Sequence, residues 1–207
     1  ATVYRVLKAG GRLDRWNRGV SGKGKGFVQP LRPHDHWHTD IFHLKVDQTF
    51  YYLCTVLDGA SRMVLAWNLL PQMKEADVEL VIERARENFP GVRPRLISDN
   101  GPQFVAKELA NYIHLVGMTH VRTSPYYPQS NGKQERFFRT LREELLDLKD
   151  PDSFEAAKKI VRAFLDHYNQ VRLHSAIGYV SPQDFLKGRA PEIHARRDQT
   201  LEHARDQ

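Results

Sequence analysis

EADVELVIERARENFPGVRPRLISDNGPQF, residues 75–104, is the stretch whose reading decides the fold. Val78, Val81, Ile82, Ala85 and Phe89 recur at helical spacing on one face, and Pro90-Gly91 stops the helix. The segment 93–98 then reads as a strand. A strand reached through a helix is a crossover connection, so it lies parallel to its neighbour. Upstream, WHTDIFHLKVD (37–47), FYYLCTVL (50–57) and RMVLAWNLL (62–70) are strands at close spacing, with DGAS at 58–61 as a turn. They form an antiparallel meander. Downstream come a helix around 104–116, a short strand at 118–123, a loop at 124–132 and a long helix from about 132 to 148. A helix opened by a capping box of Asp152 and Glu155 runs to about Asn169, and Ser181, Pro182 and Asp184 open a last short one. The result is an α/β fold, a mixed five-stranded sheet with flanking helices and no internal repeat.

A chain of 207 residues can bury a real core, and its 41% apolar and 27% charged content is ordinary for a globular protein. No apolar run is long enough to span a membrane, and no signal peptide is visible. The single cysteine, Cys54, reads as a small core residue, and a fold without a disulfide points to the reducing cytoplasm. The net charge of +6 is unevenly spread: residues 1–33 hold eight Lys and Arg against Asp14 alone. This basic arm, with Lys23 and Lys25 in a Gly-rich linker, suits a polyanion such as nucleic acid, or is simply a solvated terminus. Val3, Val6 and Leu7 make a short apolar stripe with nothing near in sequence to pack on, so it is expected to belong to a larger unit.

Asp99, Asn100 and Gly101 are turn formers where a strand must end. The same carboxylate is held by a rigid element and open to solvent, as a metal ligand would be. Two other acids bear on the choice. Asp40 interrupts an apolar strand, where a buried carboxylate is costly unless paired or metal-bound. Glu135 falls in the first turn of the long helix, which Asn131 and Gln134 can cap, and 35 residues separate it from Asp99. Carboxylates that converge repel one another and coexist comfortably around cations.

WHTDIF (37–42), LISDNGPQF (96–104) and SPYYPQSNGKQERFFRTLREEL (124–145) resemble the catalytic core of the retroviral-integrase-like DDE transposases, nearest to the bacterial insertion-sequence type. YNQVRLHSAIGYVSPQDF (168–185) resembles the block that follows the core there, and TVYRVLKAGG the end of the preceding helix-turn-helix. The resemblance implies a ribonuclease H-like fold and a division into a helix-turn-helix remnant (1–13), a basic linker (14–36), the catalytic core (37–150), a helical extension (151–189) and a charged tail (190–207). It implies that Asp40, Asp99 and Glu135 are both catalytic and metal-binding, holding two Mg²⁺ ions, with Mn²⁺ able to substitute. The implied activity is 3′-end cleavage followed by strand transfer into target DNA. The implied partners are double-stranded DNA, as element ends and as target, and further copies of the chain in a dimer or larger multimer. The implied setting is the nucleoid of a bacterial cytoplasm. A catalytically silent DNA-binding accessory protein and a Mg²⁺-dependent nuclease of the same fold are the alternatives.

On a helix, Arg139 lies about 40° and Arg142 about 20° from Glu135, so both extend its face as phosphate contacts or are plain solvated charge. Lys133 opposes the helix dipole, which a phosphate partner would explain. Tyr126 and Tyr127 read as base-stacking or packing residues. His34, His36 and His38 alternate toward Asp40, which leaves a histidine metal site open. Asp58 reads as a turn former or a fourth acid. Arg172 and His174 either touch DNA or lock their segment to the core. The family usually has Pro between them, where this chain has Leu173.

Overall fold

The computed structural model describes residues 32–123, 132–146 and 151–205. β1 (His36–Val46), β2 (Thr49–Asp58) and β3 (Val64–Leu70) form the antiparallel meander. α1 (Glu75–Asn88) crosses over to β4 (Arg95–Ser98), which pairs parallel with β1, and β5 (Thr119–Arg122) pairs parallel with β4. The strand order is β3-β2-β1-β4-β5, so β1 is central.

Side chains alternate between two cores. One face carries Trp37, Cys54, Val56 and Leu96, covered by Val78, Val81, Ile82 and Ala85 of α1 and by Leu109 and Ile113 of α3 (Lys107–Leu115). Burial of Cys54 pushes its thiol up to about 12, so it is an inert core residue. The other face carries Phe42, Leu44, Val46, Leu53 and Leu57. It is covered by Phe137, Phe138 and Leu141 of α4 (Gly132–Leu141) and by Val161, Leu165 and Tyr168 of α5 (Phe154–Gln170). Asn169 of α5 bonds both the N–H and the C=O of Val64 at 2.9 Å each, satisfying the free backbone of edge strand β3.

Four local expectations are corrected. The helix expected over 104–116 is two, α2 (Pro102–Val105) and α3, because Ala106 is extended (ψ 139°), and that kink lets both Phe104 and Leu109 reach the core. The long helix gives way after Leu141 to a π-turn, Arg142–Leu146. This wider turn sets Leu145 in the core and carries Glu144, which grips Arg172. The cap of α5 is Ser153, whose Oγ accepts from Ala156 N–H at 3.3 Å, while Asp152 stays exposed. Gln134 does not cap α4, since its side chain is fully buried against the sheet. The expected cap of Ser181 does form, accepting from Asp184 N–H, and opens α6 (Pro182–Leu186). The charged tail holds a helix, α7 (Ala190–Arg205).

Candidate active site

Asp40 lies midway along β1, opposite Thr55 of β2. The β1–β4 ladder runs from His36↔Arg95 to His38↔Ile97. Asp99 follows β4 two residues past that last pair, on the line the register projects to Asp40. Parity puts both acids on the α4 face, and neighbouring strands run about 4.8 Å apart. The end of β4 is tied to β5: Asn100 Nδ2 donates to Thr123 O at 2.6 Å, and Ser98 Oγ pairs with His120 Nε2 at 2.8 Å. Asp99 Oδ1 accepts from Gly101 N–H at 2.9 Å, so Asp99 does form the turn. A Cβ on Gly101 would sit 3.1 Å from Asp99 Oδ1 and 3.4 Å from Phe104, so a larger residue there would crowd the carboxylate. Asp40 Oδ1 accepts from Ile41 N–H at 2.8 Å.

Glu135 is exposed in the first turn of α4. Contacts from three side chains register that helix over β1 and β2. Gln134 Nε2 donates to Thr55 Oγ1 at 3.0 Å and to Thr55 O at 3.3 Å, and Thr55 is the cross-strand partner of Asp40. Phe138 packs on Phe42 with ring centroids 5.2 Å apart, and the Arg142 guanidinium lies 5.4 Å above the same Phe42 ring. Phe42 is two residues from Asp40, and Phe138 and Arg142 are three and seven from Glu135. The strand and helix faces that carry these contacts are therefore the faces that carry the acids. Among the described residues, no group of three or more His, Cys, Asp or Glu side chains is close enough to hold one metal ion. The three acids share a face without closing into a single ligand cage.

Other candidates separate from this face. Asp58, fully buried, accepts from His34 N–H, Ser61 N–H and Ser61 Oγ at 2.7 Å each, so it is a turn former. His34 is engaged by Trp37, whose indole N–H donates to Nδ1 at 3.1 Å. His36 and His38 are buried and join no metal cluster. Burial, then Arg95 and Lys133, holds His36 below the ordinary imidazole range. Arg139 is exposed on α4. Lys133 is half-buried, and burial followed by the Arg62 charge pulls its ammonium down to about 8, against the pull of Asp58. Lys23, Lys25, Tyr126 and Tyr127 lie outside the described residues, as does Asn131.

Arg172 and His174 do lock their segment to the core. Arg172 grips Glu144 through Nε at 2.9 Å and Nη2 at 2.6 Å, and the His174 ring meets Tyr168 edge-on at 4.7 Å. Burial, then Arg172 and Arg62, pushes His174 down to about 4. The segment borders a cleft of about 620 Å³ that also takes in Arg62, Lys133, Arg136 and Tyr179. Arg136 and Tyr179 lie in the stretches 124–145 and 168–185 without standing out there, and only the fold joins them to Arg62.

The integrase core domain family matches residues 30–128, and a second integrase core domain family matches residues 116–182. The chain is 27% identical over 199 residues to the InsD protein of insertion element IS2E from Escherichia coli (strain K12), covering 91% of each chain. It shows the same identity to the transposase InsD for insertion element IS2A/D/F/H/I/K from Escherichia coli, of whose length it spans only 66%. Among solved structures, the bovine immunodeficiency virus (BIV) integrase catalytic core aligns with TM-score 0.56 at 25% identity over 84% of this chain and 99% of that one. The HTLV-2 integrase catalytic core, solved in complex with magnesium, aligns with TM-score 0.56 at 19% identity, covering 74% of this chain and 96% of that one. The sheet and its flanking helices are thus the ribonuclease H-like fold of retroviral integrase cores.

Proposed function

The chain belongs to the integrase core domain family, and we propose that it is the core of an insertion-element transposase that cleaves DNA at the element's 3′ ends and transfers those ends to target DNA. The observation that carries the reading is the shared face. Asp40 and Asp99 come from adjacent strands, and Glu135 from a helix registered over them by Gln134 and Phe138.

The donor set is three carboxylates, hard oxygen ligands that fit Mg²⁺ or Mn²⁺ rather than a softer metal. Asp40, Asp99 and Glu135 would hold such ions together with water and phosphate oxygens, so a three-residue cage around one ion is not required. When bound, the metal supplies charge stabilisation at the phosphoryl oxygens and a more acidic attacking hydroxyl. The chain's own residues do the rest. The strands and the Gly101 turn hold Asp40 and Asp99 fixed, so little reorganisation is needed at the moment of reaction. Arg142 and Arg139 offer positive charge to the DNA backbone on the same face, and the basic arm, Lys23 and Lys25 included, adds sequence-independent attraction. In the first step a water oxygen joins phosphorus and the element's 3′ oxygen leaves. In the second that 3′ oxygen attacks a target phosphodiester and the target's own 3′ oxygen leaves. No bond between protein and DNA is required. Two ends must be joined together, so the working form is a dimer or larger.

The test is a gel assay with Mg²⁺ or Mn²⁺, labelled duplexes carrying the element's ends, and a supercoiled plasmid. Label joined to plasmid by the parent chain, and lost in Asp99→Asn and Glu135→Gln, supports the reading. Nicking without joining would replace it with a nuclease. DNA binding with no reaction would replace it with an accessory protein.

A further inference from the structure

The cleft behind α4 is walled on three sides by segments far apart in sequence: Arg62 from the β2–β3 turn, Lys133 and Arg136 from α4, and residues 172–179. Lys133 and Arg136 project from α4 about 160° and 100° away from Glu135, so the cleft is separate from the acid face. Its charge is strongly positive. Arg172 is taken up by Glu144, but Arg62 and Arg136 appear in none of the ion pairs among the described residues, which are Arg86–Glu83, Arg172–Glu144 and Arg189–Asp184. Asp58 lies nearby, with its oxygens already committed to His34 and Ser61.

The rim is aromatic and apolar. Leu173 and Tyr179 line the cleft yet stay 52% and 62% exposed. Tyr179 is held in a left-handed conformation (φ 57°), which disfavours a residue with a side chain of this size. Backbone bonds impose it: Tyr179 N–H donates to His174 O at 2.8 Å, His174 N–H to Val180 O at 3.1 Å, and Arg197 Nη1 to Tyr179 O at 2.8 Å. A strained backbone presenting an open aromatic ring at the mouth of a cationic cleft has the two parts of a nucleotide site, charge for phosphate and a flat face for a base.

We propose that this cleft binds one unpaired nucleotide of a DNA strand, its phosphate between Arg62, Lys133 and Arg136 and its base stacked on Tyr179. The inference deepens the reading as a DNA-processing enzyme and rests on it for the choice of DNA as ligand. A cleft of about 620 Å³ holds a mononucleotide with room to spare.

The test uses the full chain in EDTA, so that metal chemistry plays no part, with fluorescein-labelled (dT)12, a labelled duplex of the same length, and inorganic phosphate as competitor. Tyr179→Gly relieves the left-handed strain while removing the ring, so it should keep or raise Tm while weakening (dT)12 binding about tenfold. Arg136→Ala, on an exposed position, should lower the slope of log affinity against log salt by about 0.7, one single-strand phosphate contact. In an Asp99→Asn background Tyr179→Gly should still weaken (dT)12 binding about tenfold, which separates this site from the acids. Loss of strand transfer with (dT)12 binding intact would count against the catalytic reading alone. Parent-like (dT)12 affinity in both Tyr179→Gly and Arg136→Ala would overturn the proposal. So would a loss seen only with duplex, or inorganic phosphate displacing (dT)12 equally from Arg136→Ala and parent.

Discussion

Gln134→Met isolates what fixes Glu135. Gln134 is fully buried, and its Nε2 must face Thr55, because the Thr55 carbonyl can only accept. Methionine fills nearly the same volume, so no large cavity forms. Two hydrogen bonds are lost, one of them long at 3.3 Å, costing together about 1–2 kcal/mol. Against this, Gln134 Oε1 is buried with no hydrogen-bond partner among the described residues, and removing such an acceptor returns about 1–3 kcal/mol. The two effects nearly cancel. Stability should change by less than about 1 kcal/mol, a Tm shift within about 4 °C for a chain of this size. Catalysis should not be spared, because Gln134 and Phe138 are what register α4 over β1. A shift of about 1 Å at Glu135 lowers strand transfer about a hundredfold. Thermal melting without metal and the gel assay read the two effects separately. Parent-level strand transfer would refute the registering role. A Tm loss above about 10 °C would mean that Oε1 has a partner and that the cancellation is false.

Three further outcomes follow from the same structure. Asp99→Asn and Glu135→Gln should each lower strand transfer by about three orders of magnitude, while Tm in EDTA stays level or rises, since each removes a like charge from one face; a fall in Tm matching the loss of activity would make the acids structural. His174 is held at about 4 by burial, then Arg172 and Arg62, against an ordinary value of 6.5, with Glu144 opposing. The unfolded chain therefore binds the proton first, so stability is complete above pH 6.5 and falls as pH drops toward 4; urea melts of His174→Gln that keep the parent's slope over that window would sink the assignment. Gly178 has φ 77°, and a Cβ there would stand 2.8 Å from His194 Cε1, so Gly178→Ala should cost about 2 kcal/mol and release α7, seen as faster amide exchange in α7 with the sheet unchanged.

What could be read from sequence was what local periodicity and spacing control. The apolar runs of β1 to β3, the helical stripe before β4 and the turn at Asp58 are each written within about fifteen residues, and each stands where expected. The acids draw attention in the sequence because Asp40 breaks an apolar run and Asp99 ends one. What failed depended on contacts across the chain. Gln134 reads as a cap from its neighbours, but its partner Thr55 lies 79 residues away. Ser153 and Asp152 are both good caps, and only the backbone decides between them. The break at Ala106 answers to Phe104 and Leu109 reaching one core, a demand set by the sheet. α7 was invisible because it buries no residue and so shows no apolar stripe.

The same helix faces the acids on one side and the proposed nucleotide cleft on the other, and that arrangement predicts where along a DNA strand the cleft acts. Going around α4 from Glu135 to Arg136 and Lys133 covers about 10 Å, a helix diameter. At 3.4 Å per stacked nucleotide, that spans about three positions from a phosphate held at the acids. A strand cut at the acid face should therefore feel the cleft at one position within about three nucleotides of the cut, and nowhere else. Single abasic sites scanned along a single-stranded flank measure this, because each removes one base and leaves every phosphate. The parent chain should lose about tenfold in affinity at that one position, and Tyr179→Gly should lose nothing further there. That pattern would tie one base to one ring through a double-mutant cycle. A flat scan, or equal sensitivity in Tyr179→Gly, would mean that the strand does not pass from one face of α4 to the other.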